Sequence, residues 1–224
     1  MHRGFRNPNT SKLWNKKLFN ENQMLLRSPI YIDKISKVFK YIKTHKGKFL
    51  DVGLGAGNLE NLIINANLNI ELFGTDISSK AVLNAKKQFG RNFFVADIFN
   101  LPFKKSFFDT VTILDVLEHI YKEESLAALN EINRVMKKGG HLVISVPLNE
   151  NLKELDKRGE NYNMHLREYT LKIISAELSS SGFKTLGHDF LYAFRNLYWL
   201  KSCIVKLVSP LRKPNLLIIY CKKK

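Results

Sequence analysis

The sequence predicts an α/β fold in which a mostly parallel sheet is covered by helices on both faces. Between residues 30 and 147, short apolar runs alternate with segments whose apolar residues recur at helical spacing. The apolar runs are nearly continuous, which is typical of parallel strands buried on both faces. Strands that alternate with helices in this way form right-handed βαβ units around a parallel sheet.

The first two thirds of the chain follow this alternation closely. The helical spacing of the apolar residues predicts a first helix over residues 30–43. Strands are predicted at Lys48–Val52, Asn69–Gly74, Asn92–Ala96, Thr110–Leu114 and His141–Val146. The helices between them are predicted at Asn58–Asn65, Ser78–Phe89 and Glu123–Lys137, with Ser78 as an N-cap and Gly139-Gly140 as the stop of the last helix.

The last third departs from this rhythm. Its predicted elements are a helix at Leu171–Ser181, a strand at Phe183–Tyr192, a helix over 196–208 and a last strand at Leu216–Cys221. The last strand follows Pro214, and its direction relative to the other strands, parallel or antiparallel, is left open by the pattern. We expect one domain over residues 1–224, with 1–29 as an N-terminal lid or extension. Residues 193–213 then form a helical insertion before the last strand.

Composition limits the class of protein. The 45% apolar content indicates a folded chain, no apolar run reaches the roughly 18 residues of a membrane span, and the basic N-terminus lacks the apolar core of a signal peptide. Two cysteines, Cys203 and Cys221, suggest a reduced, cytoplasmic protein, and the spacing shows no metal-ligand cluster. The net charge of +16 indicates either an anionic partner or simply a lysine-rich surface.

A glycine-rich loop follows the first predicted strand. Gly53, Gly55 and Gly57 alternate with other residues, so the backbone can turn sharply and approach a ligand. A dinucleotide site has its third glycine one residue later, where this chain has Asn58. Asp51 precedes the loop, and an acid there suits an ammonium group better than a diphosphate. The loop therefore favours S-adenosylmethionine, although alone it is also compatible with an ordinary strand–helix turn.

Six segments in order resemble one family. They are DVGLGAG (51–57), GTDIS (74–78), ADIFNLPF (96–103), FDTVTILDVLEHI (108–120), LNEINRVMKKGGHLVISVP (129–147) and HLREYT (165–170). Over roughly residues 30–190 the chain resembles a class I S-adenosylmethionine-dependent methyltransferase of the type 11 group. The resemblance implies a Rossmann-like seven-stranded sheet whose last strand is antiparallel. It also implies S-adenosylmethionine as cofactor and S-adenosylhomocysteine as product.

The resemblance further implies which residues bind the adenosine half of the cofactor. Asp76 is expected to accept both ribose hydroxyl hydrogens, with the alternative that it caps the following helix. Ile77 is expected to lie against the adenine. Asp97 is expected to accept the adenine amino group and Ile98 to pack near the ring, with a surface turn as the alternative.

The methionine half is assigned to the loop and to the fourth strand. Asp51 and Gly53 are expected to meet it, unless Asp51 only braces the loop. Gly55 and Gly57 of the same loop are also expected to bind the cofactor. Asp115 is expected to border the methionine moiety and the reacting methyl group.

Two histidines are candidates for the chemistry. His119 follows Glu118 in a pair common in this group, and a structural role for the pair is at least as plausible as a chemical one. His165 lies in the HLREYT segment with Arg167 and Tyr169, in a region that faces the acceptor in related enzymes. Either histidine could remove a proton from a hydroxyl acceptor. Tyr162 is a weaker candidate for acceptor contact.

The sequence leaves the acceptor open. A small molecule or a lipid-like compound is the main hypothesis, because residues 196–208 form a largely apolar helix with Trp199 and basic residues. That helix would contact a membrane interface, an acceptor, a second subunit of a homodimer, or its own domain. The N-terminal Trp14, Phe19 and Met24 are candidate lid residues.

Three other classes compete with this hypothesis. An RNA methyltransferase acting on ribose or a cap fits the charge, whereas the residues after the fourth strand do not fit base methylation. A non-catalytic S-adenosylmethionine-binding protein is a further alternative. A nicotinamide dehydrogenase is disfavoured by Asn58.

Overall fold

The computed structural model describes residues 7–17, 27–194, 197–208 and 212–224, and for 206–208 only the helical backbone. Its strands are β1 (Gly47–Val52), β2 (Ile70–Asp76), β3 (Phe93–Val95), β4 (Phe108–Leu114), β5 (Met136–Pro147), β6 (Phe183–Leu191) and β7 (Leu216–Lys223). They form one seven-stranded sheet in the order β3-β2-β1-β4-β5-β7-β6. Only β7 runs antiparallel to its neighbours, β5 and β6. The predicted sheet, including its antiparallel last strand, is confirmed.

Within the described residues, seven α-helices that begin after residue 28 accompany the sheet. They are α1 (Pro29–Ile42), α2 (Asn58–Asn65), α3 (Ser79–Phe89), α4 (Ser125–Val135), α5 (Leu152–Arg158), α6 (Leu171–Ser180) and α7 (Tyr198–Val208). Residues 11–17 are also helical, and two 3₁₀ turns lie at Leu117–His119 and Lys122–Glu124. The bounds of α2 match the prediction, and the Ser78 hydroxyl accepts a hydrogen bond from the Ala81 N–H as the predicted cap of α3. Helix α5 was not predicted.

Side chains of β5 divide the core between the two faces of the sheet. Leu142 and Ile144 pack with α4 residues such as Ile132, whereas Val143 packs with α1 residues such as Val38. All five side chains are almost completely buried. Helices therefore cover both faces, as predicted.

The predicted end of the fourth long helix is wrong. The α4 helix ends at Val135, because Met136 is already extended and pairs with Phe108 of β4. Gly139, with a φ of +74°, lies within β5 instead of capping a helix. A side chain at Gly140 would lie 2.9 Å from the Lys137 carbonyl oxygen. The glycine pair therefore lets the first part of β5 bend close to its own backbone, and strand pairing outweighs the local helix-stop signal.

The strand order places a ligand-binding crevice beside β1. The chain passes from β1 to β2 and β3 on one side, and then returns to β4 on the other. Such a reversal opens a crevice at the carboxyl ends of the two central strands. Among the described residues, no helix is long and apolar enough to cross a membrane.

Candidate active site

A cavity of about 460 Å³ opens at the carboxyl ends of β1, β2 and β4. Pockets of this size are typical of small-ligand and cofactor sites. Of the predicted cofactor residues, those that line it are Asp51, Gly53, Gly55, Asp76, Ile77, Asp97, Ile98 and Asp115. Both predicted catalytic histidines, His119 and His165, line it too. The structure thus brings almost the whole predicted site together.

The three glycines of the loop have different functions. Gly53 has a φ of +82°, and a Cβ there would collide with the Val116 side chain. Gly55 has a φ of +54° and lines the cavity, and a Cβ there would meet no atom within 4 Å. Gly57 is not among the cavity-lining residues, and a Cβ there would lie 2.7 Å from the Phe89 ring. Gly55 therefore leaves room for a ligand, whereas Gly57 allows α2 and α3 to pack closely.

Asp76 braces the glycine loop from the end of β2. Its Oδ2 accepts a hydrogen bond from the Gly55 N–H at 2.9 Å, and its Oδ1 accepts one from the Ser78 N–H at 2.7 Å. Burial raises the pKa of Asp76, and these two hydrogen bonds oppose the rise. The carboxylate retains acceptor capacity beyond these two bonds, because each oxygen has two lone pairs. It can therefore hold the loop and still accept hydrogen bonds from a ligand.

Asp51 shares the space beneath the loop with a second acid, Glu60 of α2. Both side chains are buried, and Thr112 donates its hydroxyl hydrogen to Asp51. Among the described residues, an ionised Glu60 has no hydrogen-bond partner for either carboxyl oxygen, whereas a protonated Glu60 donates to Asp51. Burial, and then the charge of Asp51, raise the pKa of Glu60 well above its ordinary value. Burial also raises the pKa of Asp51, so this buried pair favours a proton shared between the two carboxyl groups.

Asp115 is neutralised by a lysine that the sequence analysis did not identify. Lys34 of α1 is 2% exposed, and its ammonium group forms an ion pair with Asp115. Burial opposes ionisation of Asp115, but Lys34 and the hydroxyl of Ser145 overcome it and hold the pKa of Asp115 below its ordinary value. The Lys34 Nζ also lies 4.6 Å from the centre of the Tyr31 ring. Asp115 has a φ of +55°, which is rare outside glycine.

The two histidines lie side by side at the far end of the cavity, with ring centroids 4.8 Å apart. His165 Nδ1 lies 2.7 and 2.8 Å from the two carboxylate oxygens of Glu150. Burial and the neighbouring His165 lower the pKa of His119 to about 3. A group with so low a pKa is a weak base at neutral pH, which argues against the general-base role predicted for His119.

Glu118 completes this end of the cavity. It is 1% exposed, and neither carboxyl oxygen has a hydrogen-bond partner among the described residues. Burial, and next the charge of Asp115, raise the pKa of Glu118 well above its ordinary value. The sequence analysis predicted no cluster of metal-ligand type, yet Glu118 lies with His119 and His165 in one.

The other residues of the HLREYT segment do not line the cavity. Arg167 forms an ion pair with Glu177 of α6, and Tyr169 is buried in the core. Tyr162 is 76% exposed, and its side chain does not line the cavity either. Between residues 162 and 170, the cavity is lined by Asn163 and His165.

The described part of the N-terminal segment crosses the histidine end of the cavity. Asn7 and Asn9 donate side-chain hydrogen bonds to the His119 carbonyl oxygen at 3.1 and 3.3 Å. The Trp14 ring contacts the His119 ring edge to face, with centroids 4.8 Å apart. Lys17 donates to the Tyr162 carbonyl oxygen at 2.7 Å. The other candidate lid residues, Phe19 and Met24, lie outside the described residues.

Helix α7 has a mixed surface. Tyr198 and Ser202 are buried, and the Tyr198 hydroxyl donates to Asp33 of α1 at 3.0 Å. Trp199, Leu200 and Ile204 are exposed. None of its described side chains lines the cavity. Arg195, Asn196 and Ser209 of the predicted helix region lie outside the described residues.

Two of the site residues that were not predicted, Lys34 and Glu60, come from helices that were predicted. Lys34 has a weak signal, since it lies on the same stripe of α1 as Val38 and is therefore a charged residue at a buried position. Glu60 similarly follows the buried Leu59 in α2. Glu150 has no such signal, because its function depends on the position of His165.

The fold and the site together define a class of enzyme that uses an adenosine-containing cofactor. A family model described as a methyltransferase domain matches residues 50–144. The N-methyltransferase NodS of Bradyrhizobium japonicum, solved with S-adenosylhomocysteine, superposes with a TM-score of 0.71 at 14% identity, over 96% of this chain and 98% of that one. That identity is low enough that the superposition shows the fold alone.

Three curated relatives match parts of the chain. An uncharacterised protein of Methanocaldococcus jannaschii is 34% identical over 183 residues, which are 81% of this chain and 72% of the relative. The demethylmenaquinone methyltransferase of Thermotoga maritima is 30% identical over 57% of this chain and 55% of its own length. A probable tRNA methyltransferase 9B of Mus musculus is 29% identical over 53% of this chain and 27% of its own length. The chain thus spans about half or less of these two named methyltransferases.

The chain belongs to the class I S-adenosylmethionine-dependent methyltransferases, in the type 11 group. It is an enzyme of methyl transfer, and S-adenosylmethionine is its cofactor.

Proposed function

We propose that the enzyme transfers the methyl group of S-adenosylmethionine to a small-molecule or lipid-like acceptor by in-line displacement. The observation that supports this acceptor class is the position of residues 7–17. Their contacts with the His119 carbonyl oxygen and ring narrow the end of the cavity where the acceptor would bind. A narrowed, partly apolar pocket suits a compact acceptor better than a folded macromolecule.

The cavity residues fit this cofactor. A Cβ at Gly55 would enter open space at the cavity wall, so the glycine leaves a cradle for the ligand. In our proposal Asp76 accepts the ribose hydroxyl hydrogens, while Asp97, Ile77 and Ile98 bind the adenine. Asp51 lines the cavity, and its carboxyl group binds the ammonium group of the methionine half across a partly buried site.

The chain contributes mainly orientation and exclusion of water. The sulfonium group of the cofactor supplies an already activated methyl group. Asp115, held by Lys34 and Ser145, fixes the β4 end of the cavity without a net charge of its own. Residues 7–17 form a lid that keeps water from the histidine end, and the acceptor is thereby aligned for attack.

A second candidate acceptor is RNA, which is favoured by the net charge of +16 and by the tRNA methyltransferase relative. One basic cluster, however, lies far from the cofactor cavity. Lys46, Lys137 and Lys138 line a second pocket beside the first residues of β4 and the bend of β5. That pocket lies at the amino ends of the parallel strands, on the opposite edge of the sheet from the cofactor cavity. RNA bound there would not reach the methyl group.

A turnover assay with two acceptor panels tests the proposal. We expect release of S-adenosylhomocysteine with hydroxylated aromatic or quinol-type small molecules, and no stimulation by total tRNA at physiological salt. Replacement of Trp14 by alanine should raise the KM for the small acceptor at least about tenfold while leaving the affinity for S-adenosylhomocysteine within about twofold, because Trp14 contacts the histidine end. Turnover on tRNA alone would contradict the proposed acceptor class.

For a lipid-like acceptor, the exposed Trp199, Leu200 and Ile204 of α7 form a surface suited to a membrane interface. Flotation with anionic liposomes checks this part of the proposal. If the protein does not bind the liposomes at low salt, the membrane contact is wrong and the proposed acceptor is a water-soluble small molecule.

A further inference from the structure

The histidine end of the cavity holds three side chains of the kinds that bind metal ions. One ligand atom each from Glu118, His119 and His165 lie within 4.8 Å of one another. Around a tetrahedral zinc ion, ligand atoms lie about 3.4 Å apart. Side-chain rotations that move each of the three ligand atoms by about 1 Å would therefore bring all of them within bonding distance of one ion. These residues come from two segments, the 3₁₀ turn after β4 and the loop before α6.

Glu118 gives independent evidence that a cation belongs here. Its carboxyl group is 1% exposed, and neither oxygen has a hydrogen-bond partner among the described residues. The His165 Nε2 lies 4.0 Å from Oε1, which is too long for a hydrogen bond. A buried carboxylate that lacks partners is costly, and coordination of a cation removes that cost.

The partners of the two imidazoles orient them as ligands. His165 Nδ1 lies 2.7 Å from a Glu150 carboxylate oxygen, and His119 Nδ1 lies 3.4 Å from the Met164 carbonyl oxygen. These acceptors assign the N–H to Nδ1 in both rings, so each Nε2 keeps a free lone pair. Metal-binding histidines usually donate their other N–H to a carboxylate or a carbonyl group in this way.

We propose that Glu118, His119 and His165 bind one divalent transition-metal ion at the acceptor end of the cavity. Two imidazoles and one carboxylate favour Zn²⁺, Co²⁺, Fe²⁺ or Mn²⁺ over Mg²⁺ and Ca²⁺, which prefer oxygen ligands. Three protein ligands leave an open coordination position. His165 is then a metal ligand and not a free base.

The use of the metal rests on the proposed function, whereas its binding does not. An acceptor hydroxyl at the open position would lose its proton to solvent more readily, because the cation lowers its pKa. With the metal held by Glu118, His119 and His165, the oxygen anion would attack the methyl carbon, so that a C–O bond would form while the C–S bond would break and leave its electron pair on sulfur. The site therefore favours an oxygen acceptor over nitrogen or carbon.

Cobalt binding to the full-length, untagged, metal-stripped protein tests the site. We expect one equivalent of Co²⁺ with visible d–d absorption. Glu118→Gln, His119→Gln and His165→Gln should each weaken cobalt binding at least about tenfold, and Glu150→Gln about 10- to 100-fold through loss of orientation. The control is the double variant His45→Gln/His141→Gln. It removes a histidine pair whose ring centroids are 4.4 Å apart, with the rings tilted by 39°, at the other edge of the sheet, and it should bind cobalt like the wild type.

Absence of stoichiometric cobalt in the wild type, or equal binding by all three ligand variants, would overturn the proposal. Circular dichroism confirms that each variant folds. If a variant does not fold, X-ray absorption of the cobalt-loaded wild type decides instead: two imidazole ligands support the site and none contradicts it. Calorimetry with S-adenosylhomocysteine separates the two proposals, because cobalt binding without any cofactor binding would overturn only the proposed function.

Discussion

Replacement of Gly55 by leucine is expected to weaken S-adenosylhomocysteine binding at least about 100-fold while the protein stays folded. Gly55 lines the cavity, and a side chain there would meet open space rather than protein atoms. The leucine would therefore occupy the volume of the ligand. The backbone at residue 55 has a positive φ, so a leucine there would also strain the folded state by about 1–2 kcal/mol. Calorimetry measures the affinity, and urea unfolding measures the strain.

Gly159→Leu is a matched control for this substitution. Gly159 has a φ of +67°, and a Cβ there also meets no atom within 4 Å. It follows α5 and does not line the cavity. The control should lose a similar free energy of unfolding and bind S-adenosylhomocysteine like the wild type. Equal affinities for the two leucine variants would show that the loop does not hold the cofactor.

Replacement of Glu60 by glutamine is expected to stabilise the cofactor-free enzyme at pH 8 and to change it little near pH 4. In the folded protein the pKa of Glu60 lies above its ordinary value of 4.5, because burial and the charge of Asp51 raise it. Over the interval between 4.5 and the raised value, the folded state binds more protons than the unfolded state. The wild-type free energy of unfolding therefore falls as pH rises, by about 1.4 kcal/mol per pH unit for this group. Glutamine still donates to Asp51 but cannot ionise.

Urea unfolding at several pH values between 4 and 8 measures this effect. Glu131→Gln is the control with the opposite sign. Arg134 binds the Glu131 carboxylate and lowers its pKa, so Glu131 stabilises the fold above an ordinary pKa of 4.5, and this contribution is lost as pH falls through the lower folded value. The control should therefore be less stable than the wild type at pH 8. If Glu60→Gln is also less stable than the wild type at pH 8, the inference that Asp51 and Glu60 share a proton is wrong.

Local sequence signals were sufficient for the parallel part of the sheet and for the glycine-rich turn that ends β1. The apolar strands and the glycines that end β1 depend on neighbouring residues alone, and Ser78 caps α3 through a hydrogen bond within its own turn. The same kind of local rule failed at Gly139-Gly140. There the pairing of β4 with β5 decided the backbone conformation instead.

The charge balance of the site could not be predicted in the same way. Lys34 meets Asp115, and Glu60 meets Asp51, only after α1 and α2 pack on the sheet. The Glu118, His119 and His165 cluster likewise joins two distant segments without the spacing of a metal motif. Sequence alone therefore identifies which strand ends line the cavity, whereas the neutralising and unpartnered groups around them depend on tertiary contacts.

A crystal structure with S-adenosylhomocysteine bound tests the central claim most directly. We predict the ribose hydroxyls within hydrogen-bond distance of Asp76, the adenine beside Asp97 and Ile98, and the ammonium group beside Asp51. The sulfur should point toward the Glu118, His119 and His165 end. A ligand bound elsewhere, or one whose sulfur points away from that end, would contradict the account.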